Sequence, residues 1–318
     1  MAFDPIPLNQ CVWKEYLAAQ EAKLPSLADV EDVSDRVIRI MGGNPGAMQL
    51  QGTNTYLVGT GKSRILVDTG QGIPIWAENL IKLLEERDLD ISHVLLTHWH
   101  GDHTGGVPDL VRYNPALAAR IYKNRPDRGQ QAIEDGDVFQ CEGATLRALF
   151  TPGHAEDHMC FILEEENALF TGDNVLGHGY SVAEDLGAYV KSLVYMEDQH
   201  CAIGYPAHGV KIDNLPQKIR QYIRHKKMRE RQIYLALVRR KADVSRSGGG
   251  KGSMTTRELV EAVHGAVPDD LFEMALEPFT TEVLWKLAED RKVGFQMDGG
   301  SRRWFLNERT WETEKTRL

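Results

Sequence analysis

Residues 97–106 read Thr-His-Trp-His-Gly-Asp-His-Thr-Gly-Gly. Three imidazoles and a carboxylate, His98, His100, Asp102 and His103, fall within six positions, directly after an apolar run that reads as a strand over 92–96. Four polar side chains at this density are not core packing, because each needs a partner once it leaves water. Gly101, Gly105 and Gly106 let the backbone turn tightly enough for the side chains to converge. Imidazole suits Zn²⁺, and a carboxylate completes a hydrolytic ligand set. The spacing sets His98 and His100 apart from Asp102 and His103, a layout for two metal ions. Three later residues could complete it: His154 in TPGHAEDH, Asp173 in FTGDNVLGHG and His208 in GYPAHGV. Each lies where an apolar strand meets a glycine-containing loop.

The elements that must carry these residues follow from pattern. Strand signals begin at Val33 with RVIRIMG, TNTYLVG and SRILVDTG, the last two separated by Gly59, Thr60 and Gly61. A helix is predicted over 75–87, with further strands near 119–123, 144–150, 159–164, 168–171 and 201–205. Helices are predicted near 183–196, 214–241, 255–264 and 270–290. The segment SRSGGGKGS reads as a flexible linker by composition. Two strands around Asp298, Gly299 and Gly300 close the chain. The expected organisation is an N-terminal extension (1–32), a catalytic domain (33–244), a linker (245–253) and a winged-helix-like domain (254–318). Phe272, Met274, Phe279 and Trp285 read as the core of that last domain. Gln51, Asn54 and Trp76 read as core or loop-ordering residues.

Composition bounds the function. The 318 residues carry a net charge of −9, from 37 basic and 46 acidic side chains. Between 217 and 251 there are twelve Lys/Arg against two acids, or +10, which leaves −19 for the remainder. An acidic body does not suit a general nucleic-acid binder. The basic segment suits an anionic partner, or it is a solvated helix face. Cys11, Cys141, Cys160 and Cys201 are scattered, without a CxxC pair, which fits a reducing compartment. No apolar run is long enough to span a membrane, and the first residues do not pattern as a signal peptide, so a cytoplasmic protein is expected.

Five motifs, taken in order, resemble the metallo-β-lactamase superfamily: Asp68 in LVDTG, the THWHGDH cluster, His154, Asp173 and His208. The resemblance covers about residues 33–230 and implies an α/β fold, an αββα sandwich with metals at one edge of its two sheets. It implies that His98, His100 and His154 hold one Zn²⁺, that Asp102, His103 and His208 hold a second, and that Asp173 bridges both. Asp68 would order the ligand loop without touching metal. Such a metal pair activates water near neutral pH and polarises an acyl or phosphoryl oxygen. Asp102 and Asp173 are the expected catalytic carboxylates, with Asp102 able to accept a proton.

Fold does not choose the substrate. An aspartate at position 173 and the absent leader pattern argue against antibiotic degradation. Neither a flavodoxin-fused electron carrier nor a nuclease with an inserted cap domain is expected from this sequence. Trp99 stands where the hydroxyacylglutathione hydrolase type often has histidine. THWHGDHTGG, the long helix and the C-terminal tail resemble the lactamase-like protein 2 group. Within it, QGTNTYLVG, LVDTGQGIPIW and GDNVLGHG are similar to the fungal atrochrysone carboxyl acyl-carrier-protein thioesterases. The function so implied is hydrolysis of a polyketide thioester on the acyl carrier protein domain of a polyketide synthase. The alternatives are a single-strand endoribonuclease of the lactamase-like protein 2 type and a hydroxyacylglutathione hydrolase-like thioesterase. Trp99, His178 and Tyr180 are candidate substrate-pocket residues. Neither a membrane nor a nucleic acid is an expected partner.

Overall fold

The computed structural model of the chain describes residues 24–46 and 49–315, apart from the side chains at 274 and 275. Most of the expected N-terminal extension and the Met274 side chain lie outside the described residues. The described chain divides after Ile223 into two compact units.

The first unit holds two sheets. Seven strands form one in chain order: β1 Val30–Asp32, β2 Val37–Met41, β3 Asn54–Val58, β4 Ser63–Val67, β5 Asp90–Leu96, β6 Ile121–Lys123 and β7 Gln131–Ala132. Pairing is antiparallel up to β4 and parallel beyond it. The other sheet is ordered β12-β11-β10-β9-β8, from β8 Val138–Cys141, β9 Ala144–Phe150, β10 Met159–Leu163, β11 Ala168–Gly172 and β12 Ile203–Pro206. Three helices lie between strands of the first sheet's sequence: α1 Pro74–Glu86, α2 Gly101–Thr104 and α3 Val107–Tyr113.

Burial of both strand faces explains the near-continuous apolar runs. Every residue of β2, β3, β10 and β11 is buried. Alternation sends neighbouring side chains to opposite layers. Val37, Tyr56, Val58, Ile65 and Val67 meet Leu146, Met159, Phe161 and Phe170 between the sheets. Ile38, Ile40, Leu57 and Leu66 face the other way, onto Trp76, Leu80, Leu83 and Leu84 of α1. Those four recur at helical spacing, and Pro74 supplies a preset φ at the helix start. With α4, Leu186–Asp198, burying Leu186, Tyr189, Leu193 and Met196, the αββα layering expected from the resemblance is present.

The helix α5, Leu215–Arg246, runs through the division. The second unit continues with α6 Thr256–His264, opened by a reciprocal capping box between Thr255 and Glu258. Next, α7 Asp269–Leu271 passes through a π-helical stretch, Phe272–Leu276, into α8 Glu277–Glu289. A hairpin of β13 Val293–Asp298 and β14 Ser301–Leu306 turns at Gly299 and Gly300, both at positive φ (56° and 82°), which the tight turn requires. Met254 bridges Trp304 beside it, and α9, Glu308–Glu314, follows.

The sequence reading differs from this in several places. Three residues placed in the extension, β1, pair with β2, helped by the ion pair of Glu31 with the buried Arg39. The glycine-rich stretch after the histidine cluster is helical in α2 and α3, not only a turn. Helix α5 runs two residues into the expected linker. In the tail Phe272 is buried, but Trp285 is 40% exposed, because its ring caps Trp304 from outside rather than entering the core.

Gly106 marks where α3 meets α1: a Cβ there would overlap the Thr69 carbonyl oxygen and the indole of Trp76. Gly106→Ala is therefore expected to destabilise the protein by about 1–3 kcal/mol through overpacking alone, since its φ of −83° suits any residue. Urea denaturation of the variant against wild type measures it.

Candidate metal centre

The chemistry-bearing residues sit where strands end. Strand β4 delivers Asp68, β5 delivers the 97–103 segment, β9 leads to His154, β11 to Asp173 and β12 to His208. Their donor atoms form two groups: His98, His100, His154 and Asp173, then Asp102, His103 and His208, each with its atoms within 4.8 Å of one another. In the first, His100 Nδ1 lies 2.9 Å from His98 Nε2 and 3.1 Å from His154 Nε2. In the second, Asp102 Oδ2 lies 3.3 Å from both His103 Nε2 and His208 Nε2. Asp173 faces both: Oδ2 is 3.4 Å from His154 Nε2, and Oδ1 is 3.2 Å from His208 Nε2 and 3.6 Å from His103 Nε2.

This arrangement fits metal ions on three observations. Ligands about 2.0–2.1 Å from a tetrahedral centre lie about 3.3 Å from each other, close to the separations found. His103 Nε2 and Asp173 Oδ1 are buried without a hydrogen bond among the described residues, in a structure where such atoms normally have one. The remote nitrogens, in turn, are held. His98 Nδ1 meets Thr97 Oγ1 (2.9 Å), His103 Nδ1 meets Asp68 Oδ2 (2.8 Å), His154 Nδ1 meets the Val182 carbonyl (3.0 Å) and His208 Nδ1 meets that of Gly52 (3.3 Å). With Nδ1 donating, Nε2 is left as a lone pair facing inward. His100 is reversed: Nδ1 faces the group, and Nε2 lies 3.9 Å from Glu184.

Asp68 lies against the 97–103 segment. Its carboxylate accepts from the Thr97 amide, from Thr97 Oγ1 and from His103, each at 2.8 Å, and touches neither donor group's open face. It does so at φ 60°, a left-handed conformation that Asp tolerates better than most residues. Asn54 fixes the His208 loop by donating to the carbonyls of Pro206 and Gly209 at 2.8 Å. Trp99 is 50% exposed with its ring 4.5 Å from that of His100, beside the first group. Tyr180 is 46% exposed and tilts against Tyr222. His178 is half-buried against Gly209. Both lie on the loop after Asp173, whose Ser181 reaches His154 Nδ1 at 3.2 Å.

Sequence reasoning missed several supports. His158 is fully buried and accepts the Asp173 amide at Nε2 (3.1 Å), with Nδ1 on Thr151 Oγ1 (3.1 Å). It was visible as the second histidine of TPGHAEDH but gave no spacing signal of its own. Thr53 donates to Asp102 Oδ2 at 3.1 Å. Asp157 and Lys123, both buried, pair at 3.1 Å. Nothing in the sequence around Lys123 marks it out.

The electrostatics follow from the packing. Burial alone would raise the carboxyls of Asp102 and Asp173, but His103 and His208 outweigh it and hold both well below the ordinary range. Burial would lower His208, yet Asp173, followed by Asp102, raises it to about 9. Burial dominates at His154, which falls to about 4, and at His98, which falls well below its usual value.

A profile of the metallo-beta-lactamase superfamily matches residues 49–208. The chain is 64% identical over 307 residues to lactamase-like protein adaB of Aspergillus niger, covering 96% of each chain. It is 58% identical over 298 residues to the atrochrysone carboxyl ACP thioesterase of Aspergillus chevalieri, covering 94% of this chain and 96% of that one. Among solved structures, a beta-lactamase domain protein from Burkholderia ambifaria shares the fold: TM-score 0.71 at 18% identity, over 91% of this chain and 99% of the other. The chain belongs to the metallo-beta-lactamase superfamily. It is a hydrolase, and its His/Asp groups are suited to metal ions.

The raised His208 predicts how metal-free protein responds to pH. A histidine whose pKa is higher folded than unfolded adds stability below about 6.5, which is lost as pH rises through about 9. In chelator-treated protein this contribution lowers the urea midpoint at pH 9 relative to pH 6. Because the lowered His98 and His154 act in the opposite direction over this interval, the comparison is with His208→Gln, and an equal pH response of the two proteins would contradict the burial of His208 between the carboxylates.

Proposed function

We propose that this chain is a dinuclear zinc thioesterase that hydrolyses a polyketide thioester on an acyl carrier protein, in the cytoplasm. What carries the reading is the near full-length similarity to an atrochrysone carboxyl ACP thioesterase, in a chain whose seven donor residues converge in two groups. His98, His100 and His154 would hold one ion and Asp102, His103 and His208 the other, with one Asp173 oxygen toward each. Such an ion pair supplies water activated near neutral pH and an electrophile for the acyl oxygen. The chain's own residues do the rest. Asp102, with its side chain 15% exposed at the second group, would accept the proton. Trp99 at the rim, with His178 and Tyr180 on the loop after Asp173, lines the acyl approach. A thiolate with a pKa of about 8.5 leaves with little protonation, so a site whose carboxylates are bases rather than acids suits a thioester. The free thiols of Cys141, Cys160 and Cys201 support a reducing compartment. No helix among the described residues is long and apolar enough to cross a membrane.

The carrier's acidic surface would meet α5, but not through the whole basic segment. Lys226 is buried against Glu282 (3.4 Å), Arg229 stacks on Phe279, and Lys241 pairs with Glu308 (3.1 Å). These cations hold the second unit together. Arg224, Lys227, Met228 and Arg231 are exposed at spacings of three and four, on one helix face. That stripe is the proposed contact.

The test is direct. Fresh protein should contain two equivalents of zinc and hydrolyse a carrier-bound acyl thioester while leaving single-stranded RNA intact. Asp173→Ala should retain the fold by circular dichroism yet lose hydrolysis by about 10²–10³-fold, the scale of removing one electrostatic group from a reaction centre, since Asp173 faces both groups. Metal-replete protein that cleaves RNA and not thioesters would overturn the assignment.

Reversing Arg224, Lys227 and Arg231 to Glu should raise KM for a carrier-bound thioester several-fold at low salt, and less at high salt. A small cysteamine thioester should be hydrolysed as before. Equal effects on both substrates would exclude the stripe as a docking face.

A further inference from the structure

The buried pair of Lys123 and Asp157 has no part in the chemistry above, and a buried ion pair is not retained cheaply, since both charges lose their water. Lys123 is 4% exposed and Asp157 1%. Lys123 ends β6 in the first sheet, beside Leu96 of β5. Asp157 lies in the turn between β9 and β10 of the second sheet, three residues after His154. Its Oδ2 accepts from Lys123 Nζ at 3.1 Å, and its Oδ1 accepts the backbone N–H of Trp99 at 3.3 Å. Trp99 is the residue between His98 and His100. The same turn is tied again by the ion pair of Glu156 with Arg125, and its exit by the Met159 amide on the Thr97 carbonyl (2.7 Å).

We infer that Asp157, held by Lys123, is a positioning residue for the first donor group: it locks the backbone between His98 and His100 to the turn that carries His154. The lock reaches that group alone. Asp102, His103 and His208 are held instead by Thr53, Asp68 and the Gly52 carbonyl, none of which touches the pair. Lys123 makes the arrangement specific, because its charge fixes one carboxylate oxygen and leaves the other aimed at Trp99. The inference rests on the reading that each donor group holds a metal ion.

The test measures zinc affinity by chelator competition, without turnover. His208→Ala isolates the first group and His154→Ala the second. Into each background goes Lys123→Met with Asp157→Leu, a pair that removes both charges together, so that no unpaired ion is left buried. The first-group affinity should fall about 10–100-fold, the range for losing a group that orients a ligand, while the second-group affinity stays within about twofold. Lys123→Met with Asp157→Asn, which keeps an acceptor for the Trp99 amide, should recover part of the loss. A thermal melt of metal-free protein reports folding separately. Unchanged first-group affinity in the Leu variant overturns the inference, as does equal weakening of both groups, which means general support only. Wild-type protein is titrated alongside. Fewer than two equivalents there overturns the dinuclear reading, while the ratio of variant to wild-type affinity in the His208→Ala background still decides the role of Asp157.

Discussion

A carboxylate buried among histidine nitrogens is the constraint on which the rest of the site depends. Asp173 is largely buried, and burial of a carboxylate costs several kcal/mol unless opposing charge or hydrogen bonds compensate it. Compensation comes from every side: His103 and His208 on one oxygen, His154 on the other, and the backbone amide held by His158. Each of those partners must itself be fixed. Asp68, Thr97, Val182 and Gly52 do so through the outward-facing imidazole nitrogens. The doubly buried sheets supply the rigidity, because the side chains of β2, β4 and β10 are committed to packed layers on both faces.

The legible part of this arrangement was the part whose chemistry is dense along the chain. His98, His100, Asp102 and His103 fall within six residues, so their convergence required no knowledge of the fold. His154, Asp173 and His208 were readable because each follows an apolar strand and a glycine. The strands of both sheets were legible as apolar runs. Helices α2 and α3 were obscured by the glycines and the proline that begin them, which read as turn signals. The supporting residues were illegible for another reason. Lys123, Thr53 and His158 act through partners 34, 49 and 15 residues away, and no local pattern marks a residue whose only signal is a distant contact.

Charge in the 217–251 segment shows the same limit in another form. Counting gave a basic run, but a helix distributes such a run around its circumference. Lys226 and Lys241 turn inward to Glu282 and Glu308, and Glu230 on the same helix takes Lys286 and Lys292. A net charge of +10 over the segment is thus partly internal scaffolding. The cations left exposed, Arg224, Lys227 and Arg231 among them, are set by the 3.6-residue repeat rather than by composition.

Neither donor group belongs to a single sheet. The first draws His98 and His100 from the end of β5 and His154 and Asp173 from the β9 and β11 side; the second draws Asp102 and His103 from β5 and His208 from β12. A nascent chain that has completed the first sheet carries four of the seven donors but no finished set. Assembly of a donor set must therefore come late in biogenesis, after position 173 for the first group and position 208 for the second, and once the sheets have docked. With an ion in place, a group would act as a clasp across the sandwich, and prising the layers apart would mean breaking it. A cell short of metal would then accumulate chains that are folded in outline and quicker to come open, an opening that proteases could exploit.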